Sequence, residues 1–276
     1  MIGTRLYLTE RDLTLLTAVG RVPFLSSQEL EILFFAPNGT GWAHGYASYR
    51  MKRLRQLTAH RLLLAWQPAP RTHRIYALTP SGKKTVVARA KLSPEAVAAF
   101  TRPGLPAAPP THFRLLAQAH TALLLTLRDG GVQLADYRGE HTFRGRGNFD
   151  RVPAPDSGER LPAVPDGLAV LRRADGKQRL VFIEADTGSE PLTTIVRKIR
   201  AYEGYRSGYG AELFHLRFDA PPAFSVLFVC AGEKRHENVR RTITAALHRL
   251  ARSEMLRRYP VTTPARLSAA WAALLQ

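Results

Sequence analysis

Apolar residues recur at helical spacing in the first part of the chain and give way to short strand-like runs. Thr9 precedes a stripe of Leu13, Leu16 and Val19, and a serine at 26 or 27 precedes a second apolar stretch. Thr and Ser often cap helix N-termini, so both positions predict helix starts. The next predicted elements are a helix from about Trp42 to His60, strands Leu62–Trp66 and His73–Leu78, and a helix from Thr79 to Ala90.

Three helices followed by a hairpin predict a winged helix-turn-helix domain over residues 1–91. In such a domain the third helix enters the major groove of DNA. Residues 92–110 are rich in Ala and Pro, which is typical of a linker between domains. The chain is therefore expected to continue into a second domain over residues 111–276.

The pattern in residues 111–276 mixes helices with strands. The predicted elements are helix His112–Leu127, strand Val132–Tyr137, a mobile surface loop Gly139–Arg160, a hairpin of Leu168–Leu171 and Leu180–Ile183, helix Glu190–Tyr205, strands Phe214–Phe218 and Ala223–Cys230, and helices Arg235–Arg252 and Ala265–Leu275. This order predicts a mixed β-sheet flanked by helices, and an α+β fold in two domains for the whole chain.

Three carboxylates lie at the ends of the predicted hairpin strands. Asp166 comes just before the first strand, and Glu184 and Asp186 end the second. Because side chains alternate along a strand, Glu184 and Asp186 project to the same face, and pairing can bring Asp166 beside them. Converging carboxylates repel one another, and a hard divalent cation such as Mg²⁺ relieves that repulsion. Lys198 lies in the middle of the helix that follows and supplies a cation nearby.

Pro165-Asp166, Glu184 and a nearby lysine resemble the PD-(D/E)xK nuclease-like superfamily. Asp186 stands where that superfamily usually has its lysine, and Lys198 on the following helix could take the lysine's place. The run from Pro165 through the segment Glu184–Glu190 to Lys198 and Tyr202 resembles, more specifically, the replication-relaxation family of bacterial plasmids and mobile elements. That resemblance implies a winged-helix domain followed by a nuclease-like domain.

If the cluster is catalytic, Asp166 and Glu184 would hold Mg²⁺ or Mn²⁺, and Lys198 would orient water or stabilise the phosphate oxyanions. Asp186 belongs to the same candidate set, either paired with Lys198 or Arg197 or acting as a second metal ligand. A second interpretation is a surface acidic edge in a domain that only scaffolds or dimerises, because fold resemblance does not establish a reaction.

The charge distribution points to a polyanionic partner. The net charge is +18, and there is no Asp or Glu between Ile32 and Pro94. A solvated face normally mixes signs, so this interval favours a surface that contacts phosphates, although a merely solvated basic face is the alternative. The candidate DNA-binding residues are Arg50, Lys52, Arg53, Arg55, Arg71, Arg74, Lys83 and Lys84.

Composition excludes several other classes. The sequence lacks a membrane-spanning apolar stretch and a signal-peptide core, so a cytoplasmic protein is expected. The single Cys230 excludes an intramolecular disulfide and a cysteine-rich zinc site. Two functions remain open: a DNA-processing endonuclease of a plasmid or mobile element, and a non-catalytic regulator of replication or transcription. The expected partners are double-stranded DNA, replication or transfer proteins of the same element, and a second copy in a homodimer.

Overall fold

A computed structural model describes most of the chain and divides it into two compact units, Met1–Thr121 and Ala122–Gln276. The described residues are 6–35, 46–90, 92, 100, 111–128, 130–144 and 147–276, without the side chains of 46–48. Most of the predicted linker 92–110 and the predicted helix start at Trp42 lie outside these residues. The predicted domain boundaries therefore remain a prediction.

The first unit combines helices with a three-stranded antiparallel sheet of order β1-β3-β2. Its elements are α1 (Glu10–Arg21), β1 (Leu25–Ser26), α2 (Ser27–Phe34), α3 (Tyr46–Ala59), β2 (Leu63–Trp66), β3 (Ile75–Leu78), α4 (Pro80–Ala90) and α5 (Thr111–Leu127), whose last residues belong to the second unit. Each predicted element in the described part of this unit is present, with ends shifted by a few residues at most.

Two capping boxes fix the starts of α1 and α2. Thr9 accepts from the backbone N–H of Asp12, whose carboxylate accepts from the backbone N–H of Thr9, and Ser26 and Glu29 make the same reciprocal pair. These bonds satisfy N–H groups that a helix start would otherwise leave unpaired. The prediction of caps at Thr9 and at Ser26 is confirmed.

The second unit is built on a five-stranded mixed sheet of order β10-β9-β8-β7-β4. β4, β7 and β8 are antiparallel, whereas β9 runs parallel to both β8 and β10. The elements are β4 (Val132–Gly139), β5 (Asp150–Pro153), β6 (Arg160–Ala163), β7 (Gly167–Arg173), β8 (Gln178–Asp186), α6 (Leu192–Gly204), α7 (Gly208–Phe218), β9 (Phe224–Cys230), α8 (Glu233–Arg249), β10 (Val261–Thr262) and α9 (Leu267–Leu275). The predicted α+β class with a mixed sheet and helices is confirmed.

The core of this unit lies between the central strands and the helices. Every residue of β9 is buried, as its unbroken apolar run predicts for a central strand. Phe182 of β8 contacts the rings of Phe214 and Phe224, with centroids 6.3 and 5.1 Å away, and Ile199 of α6 belongs to the same cluster. The sheet and helices α6, α7 and α8 thus share one apolar core.

The prediction of a strand at Phe214–Phe218 is wrong, because these residues form the last turns of α7. In a strand, Phe214, Leu216 and Phe218 would face the same way. Instead Phe214 is buried and packs on Phe218, with ring centroids 4.7 Å apart, while Leu216 is 81% exposed. The spacing of four residues between the two phenylalanines is helical.

The prediction of a surface loop at Gly139–Arg160 is also wrong. β5 pairs with β6 in an antiparallel ribbon, and a short 3₁₀ helix spans Glu140–Thr142. Phe143 and Val152 are buried in the core of the unit. Gly145 and Arg146, which fall in this segment, lie outside the described residues. A few apolar side chains in a charged segment are therefore enough to fold it onto the domain.

Candidate functional site

The hairpin of β7 and β8 positions two carboxylates side by side. The register pairs Gly167 with Ile183, so Asp166 and Glu184 flank this pair at one end of the hairpin. The backbone N–H of Asp166 donates to the carbonyl of Ile183 at 3.1 Å, and the Asp166 carboxylate accepts from the backbone N–H of Ala185 at 2.9 Å. Asp166 is thereby held against the end of β8.

Helix α6 brings the predicted lysine to the carboxylates. The Nζ atom of Lys198 lies 2.6 Å from an oxygen of Glu184 and 3.7 Å from an oxygen of Asp166. Tyr202, one helical turn further on, donates its hydroxyl to the other oxygen of Glu184. Asp166, Glu184 and Lys198 thus meet at one point, as the strand and helix spacing predicts, and we call them, together with Tyr202, the acidic cluster.

Burial governs the ionisation of the acidic cluster. Glu184 is 1% exposed, and burial raises its pKa to about 8 against the attraction of Lys198. Burial alone would lower the pKa of Lys198, but the carboxylates of Glu184 and Asp166 outweigh it and raise that pKa above its ordinary value. Burial, together with Glu184, also raises the pKa of Tyr202. Burial thus opposes the ionisation of Glu184, while the ammonium of Lys198 and the hydroxyl of Tyr202 favour it.

Asp186 is bound by a different cation. The guanidinium of Arg235 donates to both of its oxygens at 3.0 Å, and the backbone N–H of Gly188 donates to one of them at 2.7 Å. The predicted pairing of Asp186 with Lys198 or Arg197 is therefore wrong. The physical reason is that β9 runs parallel to β8, so Cys230 pairs with Asp186 and the helix that follows begins beside it.

Sequence reasoning missed Arg235 and the role of Tyr202. Arg235 lies in the first turn of α8, and nothing in its local sequence links it to Asp186. The connection depends on the pairing of β8 with β9, which are separated by two helices in the chain. The position of Tyr202, four residues after Lys198 on α6, was the available signal for its contact with Glu184.

The donor set of the acidic cluster fits a hard divalent cation. Carboxylate oxygens are the ligands that Mg²⁺ and Mn²⁺ take in proteins, and Asp166 and Glu184 present theirs toward one point. When both carboxylates are ionised, one ammonium leaves part of their charge uncompensated. Because Glu184 is buried, a cation at this point would also relieve the cost of ionising it.

In the first unit, two of the predicted DNA-binding arginines are held by acidic side chains of the same unit. Arg53 donates through Nε to Asp12 at 2.9 Å, and its second nitrogen reaches the same carboxylate. Burial opposes the ionisation of Asp12, but the bonds from Arg53 and Thr9 outweigh it and lower its pKa. Arg50 forms an ion pair with Glu31. Both guanidinium groups therefore tie helices of this unit together.

The other predicted basic residues include four that are exposed to solvent. Lys52, Arg55, Arg71 and Lys84 are exposed, and Arg74 and Lys83 are half-buried. In the parts of the chain described here, none of the four exposed residues forms an ion pair. Arg71 lies between β2 and β3, and Lys52 and Arg55 lie on α3. We refer to Lys52, Arg55, Arg71 and Lys84 as the exposed basic residues.

The fold and the cluster define an α+β protein in which two carboxylates at the end of a sheet hairpin contact a lysine and a tyrosine of helix α6. The family profile described as Replication-relaxation matches residues 16–214. The chain belongs to the replication-relaxation family, which confirms the resemblance seen in the sequence. No curated protein and no solved structure matches it. In the described part of the chain, no helix is long and apolar enough to cross a membrane.

Proposed function

We propose that this protein processes DNA during the replication or relaxation of a plasmid or other mobile element. In this proposal the first unit binds duplex DNA, and the acidic cluster of the second unit hydrolyses a phosphodiester bond with Mg²⁺ or Mn²⁺. Three facts support it: the family, the net charge of +18 and the arrangement of the cluster.

One observation carries the catalytic part of the proposal. The ammonium of Lys198 lies between the carboxylates of Asp166 and Glu184 and contacts both. A surface acidic edge would leave its carboxylates in water and far from a common point. Here the carboxylates are buried and converge on a cation. Clusters of buried titratable groups with perturbed pKa values are typical of active sites.

Each residue of the cluster has a role in this proposal. Asp166 and Glu184 would hold the metal ion, which supplies a Lewis acid that lowers the pKa of bound water and offsets phosphate charge. The Lys198 ammonium would stabilise negative charge that develops on the phosphate oxygens. Tyr202 fixes the orientation of Glu184 through its hydroxyl. Arg235 neutralises Asp186, so that this carboxylate does not repel the substrate.

The first unit supports duplex binding through its element order and its charges. Helices α1, α2 and α3 followed by the β2–β3 hairpin are the elements of a winged helix-turn-helix, and we assign α3 to the major groove. Lys52 and Arg55 on α3 and Arg71 beside the hairpin are exposed, which suits contact with phosphates. In this assignment Arg50 and Arg53 position α3 rather than touch DNA.

A second function is favoured by a feature of the same cluster. Lys198 already supplies a cation to both carboxylates, so the cluster is held together by its own ion pairs. A non-catalytic regulator that uses the first unit to bind DNA and the second for self-association would need no more than this. The two functions share DNA binding and differ in whether a metal ion enters the cluster.

Nicking of supercoiled plasmid separates the two functions. Native protein, Asp166→Ala and Glu184→Ala are incubated with plasmid and Mg²⁺ or Mn²⁺, and open-circular product is measured on a gel. We expect nicking by the native protein and its loss in both variants, while Asp175→Ala, which removes an exposed acid from the hairpin turn, retains it. Equal nicking by all proteins would point to a contaminant, and no nicking by the native protein would favour the regulator.

A further inference from the structure

A cleft adjoins the acidic cluster in the second unit. It has a volume of about 190 Å³ and shares Lys198 with the cluster. One part of its lining is apolar, and the other is a polar stretch of helix α6. The residues that line it are Leu161, Pro162, Val164, Thr194, Arg197 and Lys198.

The size of the cleft limits what it can hold. Sites for whole small molecules or cofactors occupy roughly 300–1,000 Å³, so a cleft of about 190 Å³ accepts only part of a larger ligand. The apolar lining formed by Leu161, Pro162 and Val164 favours a flat or compact group that gains from leaving water. One base of a nucleic acid has this size and character.

The charge of the cleft points to a phosphate beside that group. Arg197 is exposed, and within the described ranges its guanidinium makes no ion pair or hydrogen bond. It lies next to Lys198 in the chain, so two cationic side chains line the same cleft. An unpaired guanidinium binds phosphate oxygens in a bidentate manner. The cleft thus offers an apolar contact and an anion contact side by side.

We infer that this cleft receives one unstacked nucleotide of a DNA strand, next to the phosphate that enters the acidic cluster. The inference rests on the proposed function, because it assumes that DNA reaches this cluster. Paired and stacked bases in a duplex keep their faces against their neighbours, so only an unpaired or extruded nucleotide can place a base against Val164. The substrate at the cluster is therefore single-stranded or locally opened DNA.

Protection of an introduced thiol tests this inference without relying on catalysis. Cys230 is buried, and burial raises its pKa to about 12, so we expect the native protein to react slowly with thiol reagents. Val164→Cys places one reactive thiol in the cleft, and Lys177→Cys places one in the exposed hairpin turn as a control. The full-length variants are labelled with a maleimide in EDTA, with and without a short single-stranded oligodeoxythymidylate.

We expect the oligonucleotide to slow labelling of the cysteine at position 164 and to leave labelling at position 177 unchanged. Adding Arg197→Ala should raise the concentration for half protection by about tenfold, the effect of losing one charge-assisted hydrogen bond. Adding Arg173→Ala, which removes an exposed arginine from β7, should leave that concentration unchanged. A blunt duplex of the same length should protect much less.

The outcomes separate this inference from the proposed catalysis. Unprotected labelling at position 164, at an oligonucleotide concentration that saturates binding to the full-length protein, would overturn the inference even if plasmid is nicked. Equal protection by the blunt duplex would also overturn it, since binding at the cleft would then depend on phosphate contacts and not on an unstacked base. Selective protection by the single strand, in a protein that nicks no plasmid, would uphold the inference and reject the catalytic role.

Discussion

Glu184 combines a buried position, a tyrosine donor and an ammonium partner in one side chain. Burial raises its pKa to about 8, from an ordinary value of 4.5. A pKa that is higher in the folded than in the unfolded state means that the folded protein binds this proton more tightly. By linkage, the stability that this group contributes is complete below about pH 4.5 and declines as the pH rises through 8.

Glu184→Gln should remove this pH dependence. Between pH 5 and pH 8, we expect the free energy of unfolding of the native protein to fall by on the order of 3 kcal/mol more than that of the variant. Urea unfolding at a series of pH values, in buffer without divalent cations, measures the difference. Glu254→Gln, which changes an exposed glutamate, is the matched control and should follow the native curve.

Repeating the titration with Mg²⁺ links the same residue to metal binding. A cation that binds the ionised carboxylate competes with the proton, so Mg²⁺ should lessen the native loss of stability above neutral pH. It should have no such effect on Glu184→Gln. Identical pH curves for the native protein and this variant would contradict the assignment of a raised pKa to Glu184.

The residues of the cluster differ in how far sequence could predict them. Asp166 and Glu184 sit at the ends of two strands joined by a short turn, so local pairing is enough to bring them together. Lys198 follows within one helix. The contact of Arg235 with Asp186 could not be predicted in this way, because it depends on the pairing of β8 with β9, which are distant in the chain. Short-range contacts were predictable, and the long-range one was not.

At the scale of elements, helices α1 and α3 are joined by a charged contact rather than by apolar packing alone. Arg53 on α3 is 12% exposed at its side chain, and Asp12 on α1 is 1% exposed. Asp12 also belongs to the capping box that starts α1. One carboxylate therefore fixes both the start of one helix and the position of another.

Arg53→Ala should consequently destabilise the first unit. It leaves the Asp12 carboxylate buried without its cation, which should cost about 2–3 kcal/mol because Asp12 keeps its bonds to Thr9. Amide hydrogen exchange, measured by mass spectrometry, should then be faster in α1 and α3. Lys52→Ala, which removes an exposed cation from the same helix, should change stability by less than about 0.5 kcal/mol. Unchanged exchange in Arg53→Ala would show that apolar contacts hold α3 without this ion pair.

The elements that sequence analysis mistook share a physical cause. Residues 139–160 carry few apolar side chains, yet β5 gains its place from a partner strand and from Arg217, which binds Asp150 at 2.6 Å. The segment Phe214–Phe218 was too short for its period to distinguish helix from strand. The burial of Phe214 and the exposure of Leu216 identify it as a helix. In both segments tertiary contacts, rather than the local pattern, determine the secondary structure.

For the whole molecule, the net charge of +18 predicts attraction to any polyanion. Such attraction does not by itself locate a DNA-binding face, because at long range it depends on the total charge and not on where the individual charges lie. Each contact with a phosphate releases counterions from the DNA. As a result, the logarithm of the binding constant falls linearly with the logarithm of the salt concentration. The slope of that line counts contacts, and substitutions at chosen places can therefore map them.

Two double variants test where duplex DNA binds. Lys52→Ala with Arg55→Ala removes two charges from α3, and Arg172→Ala with Arg173→Ala removes two exposed charges from β7, so both variants lose the same net charge. We expect the salt slope for a fluorescent duplex, measured by anisotropy, to fall by about two for the α3 variant. The β7 variant should keep the native slope. Equal changes in both would mean that the slope reflects total charge and that α3 does not contact the phosphates.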